Sequence, residues 1–178
     1  WRSTGPVVDL RVLSLDPDGQ TVRLEVSTVE RTEVAGRVDS APIRRLLAAS
    51  LTGDAEAGPR LAAVRLLDRP GPADPQVTRA LIQALRADVN PGVRLAAVTA
   101  LRARGGGDGV EEALLAALAD DPNPGVRVAA IAGLSRPQDA PARRALERVA
   151  AVDDNPFVKA QAQRLLGPHN EPAATTEL

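Results

Sequence analysis

The sequence predicts a mainly α protein, a right-handed α-solenoid of about four helix pairs preceded by a small antiparallel β-hairpin or three-stranded element. Three observations support this fold class. A pattern of charged and apolar residues recurs every 32–34 residues over most of the chain. The N-terminal part alternates apolar and polar residues with the period of a strand. The composition is 44% hydrophobic but only 1% aromatic, so Ala, Leu and Val must build the core, as in closely packed helices.

The first part of the chain has the pattern of strands. Residues 7–15, "VVDLRVLSL", alternate loosely, and the turn signal "DPDG" follows them. In the next stretch, "QTVRLEVSTVERTEV", Val22, Leu24 and Val26 face one way and the charged residues between them face the other. This predicts a half-buried hairpin, and "AGRV" predicts a short third strand. Because two or three strands alone are marginally stable, we expect residues 1–38 to pack their apolar face on the first helices.

Helical spacing begins at Asp39. The stretch "DSAPIRRLLAASL" offers Asp39 or Ser40 as the N-cap and Pro42 in the first turn. Apolar residues then follow at helical intervals from Ile43 to Leu51, so the predicted first helix includes Leu51.

A repeat extends over the remainder of the helical region. Four basic residues recur at steps of 34, 33 and 32 residues, and an aspartate lies six residues before each of them. These pairs are Asp54 and Arg60, Asp88 and Arg94, Asp121 and Arg127, and Asp153 and Lys159. Each copy has the pattern of a helix, a short acidic turn and a second helix. The predicted repeat region covers 39–167, with units at about 39–70, 71–104, 105–136 and 137–167, and a disordered tail at 168–178.

The turns carry the chemistry of helix starts. Three copies contain an Asn-Pro pair, at Asn90-Pro91, Asn123-Pro124 and Asn155-Pro156. In each pair the Asn is the predicted N-cap, and the Pro takes the first helical position, where its missing N–H costs nothing. The first copy departs from this pattern, because Glu56 takes the place of the Asn.

The turn aspartates and the dipeptides "VR", "VR" and "VK" at Val93, Val126 and Val158 resemble HEAT repeats of the short bacterial kind, over residues 39–166. The front of the chain, "VRLEVSTVERTEVAGRVDSAPIRRLLAASL", followed by such units, resembles the C-terminal region of bacterial membrane proteins of the anti-sigma-factor type. In that family a short zinc-binding segment and one membrane helix come first. Neither is found in this sequence, so no zinc ligand is carried over to any residue.

The recurring basic residues lie within the apolar side of their helices. At about 100° per residue, Arg94 and Arg127 fall inside the apolar arc, at its N-terminal end. A buried guanidinium needs a partner, and the aspartate six residues earlier is the nearest candidate in sequence. Stacked repeats would let each basic residue reach its own turn or a neighbouring one. We interpret the eight residues as a structural ladder, and ligand binding by the pairs is the alternative.

A second set of positions lies on the flank of the same helices, one, five and eight residues after each basic residue. The residues at these positions are Leu61, Arg65 and Asp68, then Leu95, Thr99 and Arg102, then Val128, Ala132 and Ser135. In a solenoid the second helices line the concave side, which such proteins use for binding. We therefore predict a partner-binding face here, and packing between repeats is the alternative.

The polar residues give no support to a catalytic or metal site. The carboxylate pairs Asp120-Asp121 and Asp153-Asp154 lie at the repeat turns, where the ladder already explains one member of each. His169 is the only histidine and the chain has no cysteine, so a zinc site lacks ligands. The metal-dependent hydroxylases among HEAT-like proteins need several His-Glu pairs, which a single histidine cannot supply. We expect no catalytic residue, no metal and no cofactor.

The leading functional interpretation is a non-enzymatic protein–protein interaction or scaffold module that binds a protein or peptide on its repeat surface. A net charge of −1 without a basic block argues against nucleic acid. The alternatives are a HEAT-like enzyme of the bilin-lyase type and a free-standing cytoplasmic adaptor. A bilin pocket would want aromatic contacts, and the chain has only Trp1 and Phe157.

The resemblance to anti-sigma-type proteins implies the soluble sensing or binding domain of a membrane-anchored bacterial regulator, on the extracytoplasmic side of the membrane. Without that parent protein the expected location is cytoplasmic. The chain starts at Trp1 and not at an initiator Met, so we expect a piece of a longer protein. No apolar run approaches the ~20 residues of a membrane helix, so any membrane contact would come from a segment upstream. We expect a monomer.

Overall fold

The computed structural model describes residues 9–17, 19–27, 31–53, 56–69, 71–105, 108–134 and 140–167. Within these residues the chain is mainly helical, with eight α-helices after a three-stranded antiparallel sheet, which confirms the predicted fold class. The chain divides into two compact units, Trp1–Ala113 and Leu114–Leu178. Several residues named in the sequence predictions lie outside the described residues. They are Trp1, Asp54, Ser135, His169 and the tail at 168–178.

The sheet is an antiparallel meander with the strand order β1-β2-β3. Its strands are β1 (Asp9–Leu15), β2 (Thr21–Ser27) and β3 (Arg31–Arg37). Val22, Leu24 and Val26 are fully buried, as their alternation predicts. The long stretch predicted as one strand of a hairpin is in fact two paired strands, in which Leu24 faces Val34. The residues between β2 and β3 include no glycine or proline, so the sequence carries no signal for this reversal.

The sheet lies against the first helices of the same unit. A Cβ added at Gly36 in β3 would lie 2.8 Å from Cγ1 of Ile43, so only a glycine allows this close approach. The turn after β1 contains Gly19 at a φ of +65°, a conformation that glycine adopts without steric cost. Nη1 of Arg69 donates a hydrogen bond to the carbonyl oxygen of Gly19. The β-element is therefore joined to the end of the second helix by a side chain as well as by apolar packing.

The helices of the first unit alternate in pairs. They are α1 (Ala41–Ala49), α2 (Ala57–Leu67), α3 (Pro75–Ala87) and α4 (Pro91–Ala103), and α5 (Val110–Asp120) begins in this unit. Helix α1 contacts α2 and α3, α2 contacts α4, and α3 contacts α4. The first helix of one pair therefore contacts the first helix of the next pair, and the second helix contacts the second. A repeat array requires this arrangement.

Helix α1 starts after Ser40, as predicted, but it ends earlier than expected and lacks the expected capping bond. It stops at Ala49, and Leu51 is buried in a following 3-10 turn at Ser50–Thr52. Ser40 is the N-cap residue, but its hydroxyl donates to the carbonyl of Arg37 and makes no capping bond. Asp39, the other candidate cap, instead forms an ion pair with Arg37. The polar side chains of the turn before the helix therefore bind other residues of that turn.

The second unit contains α6 (Pro124–Gly133), α7 (Ala140–Val152) and α8 (Pro156–Leu166), and α5 ends in it. Helix α8 contacts both α7 and α6. A Cβ added at Gly133 would lie 3.0 Å from Cδ1 of Leu114, which shows how closely α6 approaches the last part of α5. The predicted boundaries of the four repeat units stay predictions.

The predicted asparagine caps are confirmed. The side-chain oxygens of Asn90, Asn123 and Asn155 accept hydrogen bonds from backbone N–H groups two residues later, at 2.8, 2.9 and 2.9 Å. Asp74 caps α3 in the same way, with 2.9 Å from the N–H of Gln76, although the sequence reading did not single it out. Glu56 is the N-cap residue of α2 and makes no side-chain capping bond.

None of the described helices combines the length and the apolar character needed to cross a bilayer.

Candidate functional site

The turns between paired helices hold the ladder aspartates in a recurring geometry. The side chains of Asp88, Asp121 and Asp153 each accept a hydrogen bond from the backbone N–H of the asparagine two residues later, at 2.8, 2.9 and 2.8 Å. This local bond orients the carboxylate before any distant partner is considered. The turn is therefore built from an aspartate that receives the asparagine N–H and an asparagine that caps the helix.

Two of these aspartates each receive a guanidinium with two parallel hydrogen bonds. Nε and Nη2 of Arg60 donate to Asp88 at 2.6 and 2.8 Å. Nε and Nη2 of Arg127 donate to Asp153 at 2.9 and 2.8 Å. Such paired contacts fix both distance and orientation. The side chains of the second pair are only 9% and 6% exposed, so the ion pair is part of the interior.

The carboxylate partner of each of these arginines belongs to the following turn. Asp88 lies 28 residues after Arg60, and Asp153 lies 26 residues after Arg127. The aspartate six residues earlier contributes its backbone instead, because Nη1 of Arg127 donates to the carbonyl oxygen of Asp121 at 2.9 Å. The interpretation that the arginine answers the carboxylate six residues back is therefore wrong for Arg127, and its alternative, a neighbouring turn, is what the structure shows.

The two other basic residues of the ladder, Arg94 and Lys159, differ in their contacts. Arg94 is buried, and its Nη1 donates to the carbonyl oxygen of Asp88, six residues earlier, at 2.9 Å. Lys159, in the last copy, makes no side-chain hydrogen bond or ion pair with any residue that the structure describes. A shared carbonyl contact therefore recurs in α4 and α6, at Arg94 and Arg127.

The electrostatics of the turns keep both partners charged. Burial raises the pKa of Asp88, but the hydrogen bonds from Arg60 and from the N–H of Asn90 outweigh it and hold that pKa below its usual range. Burial likewise raises the pKa of Asp153, and the hydrogen bonds from Arg127 and from the N–H of the next asparagine again bring it below the usual range. The hydrogen bond to Asp153 raises the pKa of Arg127. These charges therefore form ion pairs with each other inside the fold.

A cleft lies beside each of these two ion pairs. The cleft in the first unit has a volume of about 320 Å³ and is lined by Arg60, Asp88 and the ends of neighbouring helices. The cleft in the second unit has a volume of about 440 Å³ and is lined by Arg127, Asp153 and corresponding helix ends. Both fall in the lower part of the size range of small ligand sites.

The predicted partner-binding face is partly open to solvent in the first unit. Leu95 on α4 is 41% exposed, and Leu61 on the neighbouring α2 is half-buried. Arg65, Thr99 and Arg102 are exposed around them, and Asp68 is half-buried. In the second unit Val128 is half-buried and Ala132 is exposed. The role of these residues in binding stays a prediction.

Two arginines of the first unit, one fully buried and one half-buried, were missed by the sequence reading. Arg44 is fully buried and donates to the carbonyl oxygens of Leu67 and Arg69, at 2.7 and 3.1 Å. Arg104 donates to the same carbonyl of Leu67 at 3.0 Å. Burial lowers the pKa of both guanidinium groups. Positive groups at the C-terminal carbonyls of α2 complement the helix dipole, so this cluster stabilises the end of that helix.

A signal for this cluster does exist in the sequence. The loop "RPGPAD" after α2 contains two prolines, which cannot donate backbone hydrogen bonds, so fewer backbone donors are available to the carbonyls at the end of the helix. The structure supplies side-chain donors from Arg44, which the loop covers closely: a Cβ added at Gly71 would lie 2.7 Å from Nη1 of that arginine.

Among the described residues, no group of three or more His, Cys, Asp or Glu side chains is placed to hold a metal ion.

Comparison with known families agrees with the repeat geometry. The family model for HEAT repeats matches residues 78–167, just over half of the chain. No curated protein and no solved structure matches the chain. The matched region begins within α3 and excludes α1 and α2, the pair whose turn lacks the asparagine cap. HEAT repeats are commonly protein-interaction scaffolds and are generally not catalytic. The chain belongs to the HEAT-repeat family.

Proposed function

We propose that this chain is a non-enzymatic module that binds a protein or peptide partner on the exposed flank of its second helices. The observation that supports this proposal is the exposure of Leu95, which is 41%, beside half-buried Leu61 on the adjacent helix. An apolar strip bordered by Arg65 and Arg102 is the pattern of an interaction surface, with an apolar centre and a charged rim.

The ladder charges already form ion pairs inside the fold, which favours the exposed flank over the ladder as the binding site. The carboxylates of Asp88 and Asp153 are saturated by arginine and backbone donors, and little of their surface reaches solvent. A ligand that competed for these arginines would have to break buried ion pairs, which is costly. The exposed flank requires no such rearrangement, so it is the surface at which a partner binds at the lowest cost.

A photocrosslinking experiment tests the proposed surface. A photoreactive amino acid is placed at Leu95 in the intact protein in its native host, and at Arg79, an exposed residue of α3, as the matched control. We expect a specific protein adduct from Leu95 and none from Arg79. An adduct that forms from Arg79 alone would overturn the assignment of this face.

The finer proposal is that the module is the soluble sensing or binding domain of a bacterial membrane-anchored regulator of the anti-sigma-factor type, on the extracytoplasmic side of the membrane. Its support is the resemblance of the front of the chain and the presence of a β-element followed by HEAT repeats. The sequence upstream of Trp1 tests it. A membrane helix with a Cys/His cluster there would support it, and a coding region that starts at this point without either would favour a cytoplasmic adaptor.

A further inference from the structure

The two clefts described above are equivalent positions of the repeat, so each serves as a reference for the other. Arg127 and Asp153 in the second unit correspond to Arg60 and Asp88 in the first. The lining residues correspond as well, because they lie at the same offsets from these pairs. Val152, Val149 and Arg148 of the second cleft correspond to Ala87, Ala84 and Gln83 of the first.

The second cleft carries two carboxylates that its counterpart lacks. Asp120 lies seven residues before Arg127, and the equivalent residue before Arg60 is Gly53. Asp154 directly follows Asp153, and the residue that follows Asp88 is Val89. The ladder ion pair of the first unit therefore forms without an acidic residue at either position.

These two carboxylates are mainly exposed. Asp120 is exposed and makes no side-chain hydrogen bond or ion pair with the part of the chain that the structure describes. The side chain of Asp154 is 89% exposed, although one oxygen accepts a hydrogen bond from Nη2 of Arg127 at 2.6 Å. Because Asp153 already binds that guanidinium with two bonds, and because exposed ion pairs contribute little, the scaffold does not require Asp154.

The second cleft has larger apolar side chains than the first at two equivalent positions. Val149 and Val152 stand where the first cleft has two alanines, and Ala145 and Pro122 also line it. Val152 is 72% exposed, although it lies at the end of a helix with a buried side. Exposed Val152 beside buried Val149, together with two acidic side chains, is complementary to a segment that carries both a basic and an apolar side chain.

We propose that this cleft, the acidic cleft, binds an extended peptide segment of a protein partner, with an arginine or lysine of the partner between Asp120 and Asp154. A small apolar neighbour of that basic residue packs on Val149 and Val152. This inference rests on the proposed function only in that the occupant is a protein segment. Arg148 also lines the cleft, so it opposes the incoming cation and limits the affinity.

A peptide titration monitored by two-dimensional NMR tests whether binding depends on the two aspartates. The probe is the acetylated and amidated peptide Ala-Val-Arg-Val-Ala, and its reference has glutamine in place of the arginine. We expect the arginine peptide to shift the amide signals around Asp120 and Asp154, and the double variant D120N/D154N to weaken it about fivefold, as two exposed ion pairs allow. The matched control D108N/E111Q removes two exposed charges elsewhere and should leave the affinity unchanged.

The first cleft provides a test by gain of binding. Gly53 has a φ of −92° and no atom within 4 Å of an added Cβ, and Val89 is 87% exposed, so both positions accept an aspartate. We expect the double variant G53D/V89D to create a second, weaker site for the arginine peptide, with new shifts around Arg60. In the acidic cleft itself, Arg148→Gln should tighten binding about twofold by removing the opposing charge.

Three results would overturn the proposal: equal binding of the arginine and glutamine peptides, unchanged affinity in D120N/D154N, or stronger binding of a glutamate peptide through Arg148. These results are independent of the photocrosslinking at Leu95. An adduct at Leu95 together with no binding in the acidic cleft would refute this proposal alone. Arginine-dependent binding in the cleft without an adduct at Leu95 would refute the proposed face alone.

Discussion

Replacement of Arg127 by alanine should destabilise the second unit by about 3 kcal/mol. The change removes two hydrogen bonds to Asp153, one to Asp154 and one to the carbonyl of Asp121. The bond to Asp154 contributes little, because that side chain is 89% exposed. The main cost is that the carboxylate of Asp153, which is only 6% exposed in the intact protein, loses its counter-ion. We take the lower end of the usual range because the N–H of Asn155 still donates to it.

Urea denaturation at pH 7 measures this loss as a change in the free energy of unfolding, and thermal denaturation should show a midpoint lower by roughly 6–12 °C. Arg164→Ala is the matched control, since Arg164 is an exposed arginine of α8, and it should change stability by less than about 0.5 kcal/mol. Asp153→Ala and the double variant with Arg127→Ala complete a double-mutant cycle. We expect the double variant to lose clearly less stability than the sum of the two single variants.

The double-mutant cycle separates the contribution of the ion pair to stability from that of side-chain packing alone. If Arg127→Ala cost less than about 1 kcal/mol, or if its effect were additive with that of Asp153→Ala, the buried ion pair would not stabilise the fold. Unchanged stability together with lost partner binding would favour the alternative that the ladder arginines bind a ligand.

Three further predictions follow from the same turns and from the cluster of Arg44 and Arg104 at the end of α2. Asn123→Ala removes a capping bond and should cost about 1 kcal/mol in urea denaturation, whereas Glu56→Ala should cost almost nothing because Glu56 makes no such bond. Folding lowers the pKa of Asp88 and Asp153, so their contribution to stability is present above about pH 4 and is lost as the pH falls through the folded-state pKa values. A stability measurement across acidic pH that showed no such decline would contradict this prediction. Arg44→Ala removes the donor to the carbonyl of Arg69 and one of the two donors to that of Leu67, and a loss below about 1 kcal/mol in thermal or urea denaturation would show that Arg104 and water replace it.

Local chemistry made the helix starts predictable from the sequence. The Asn-Pro pair at Asn123 is a capping pattern because the asparagine oxygen reaches an N–H only two residues away, without any contribution from the remaining fold. The burial of Arg94 and Arg127 was likewise predictable, since their positions within the apolar arc depend only on helical periodicity. The alternation of Val22 and Leu24 gave the buried face of the sheet for the same reason.

The features that were predicted wrongly or missed depend on contacts between distant residues. The reversal between β2 and β3 lacks a turn signal, so it follows from the pairing of Leu24 with Val34 and not from local preference. The role of Arg44 depends on the end of α2, 23–25 residues away, where the carbonyls of Leu67 and Arg69 need donors. No helical wheel shows such a requirement, because it describes one element at a time.

The sequence by itself determined the repeat, its turns and the asparagine caps, since each depends on local spacing or on residues a few positions apart. Only the tertiary structure decided that Arg127 pairs with the carboxylate of Asp153 and takes only a carbonyl from Asp121. The carboxylate of Asp121 is already oriented by the N–H of Asn123, and the packing of α6 beside α8 brings the following turn within reach. An ion pair across 26 residues depends on that stacking, which spacing along the chain does not contain.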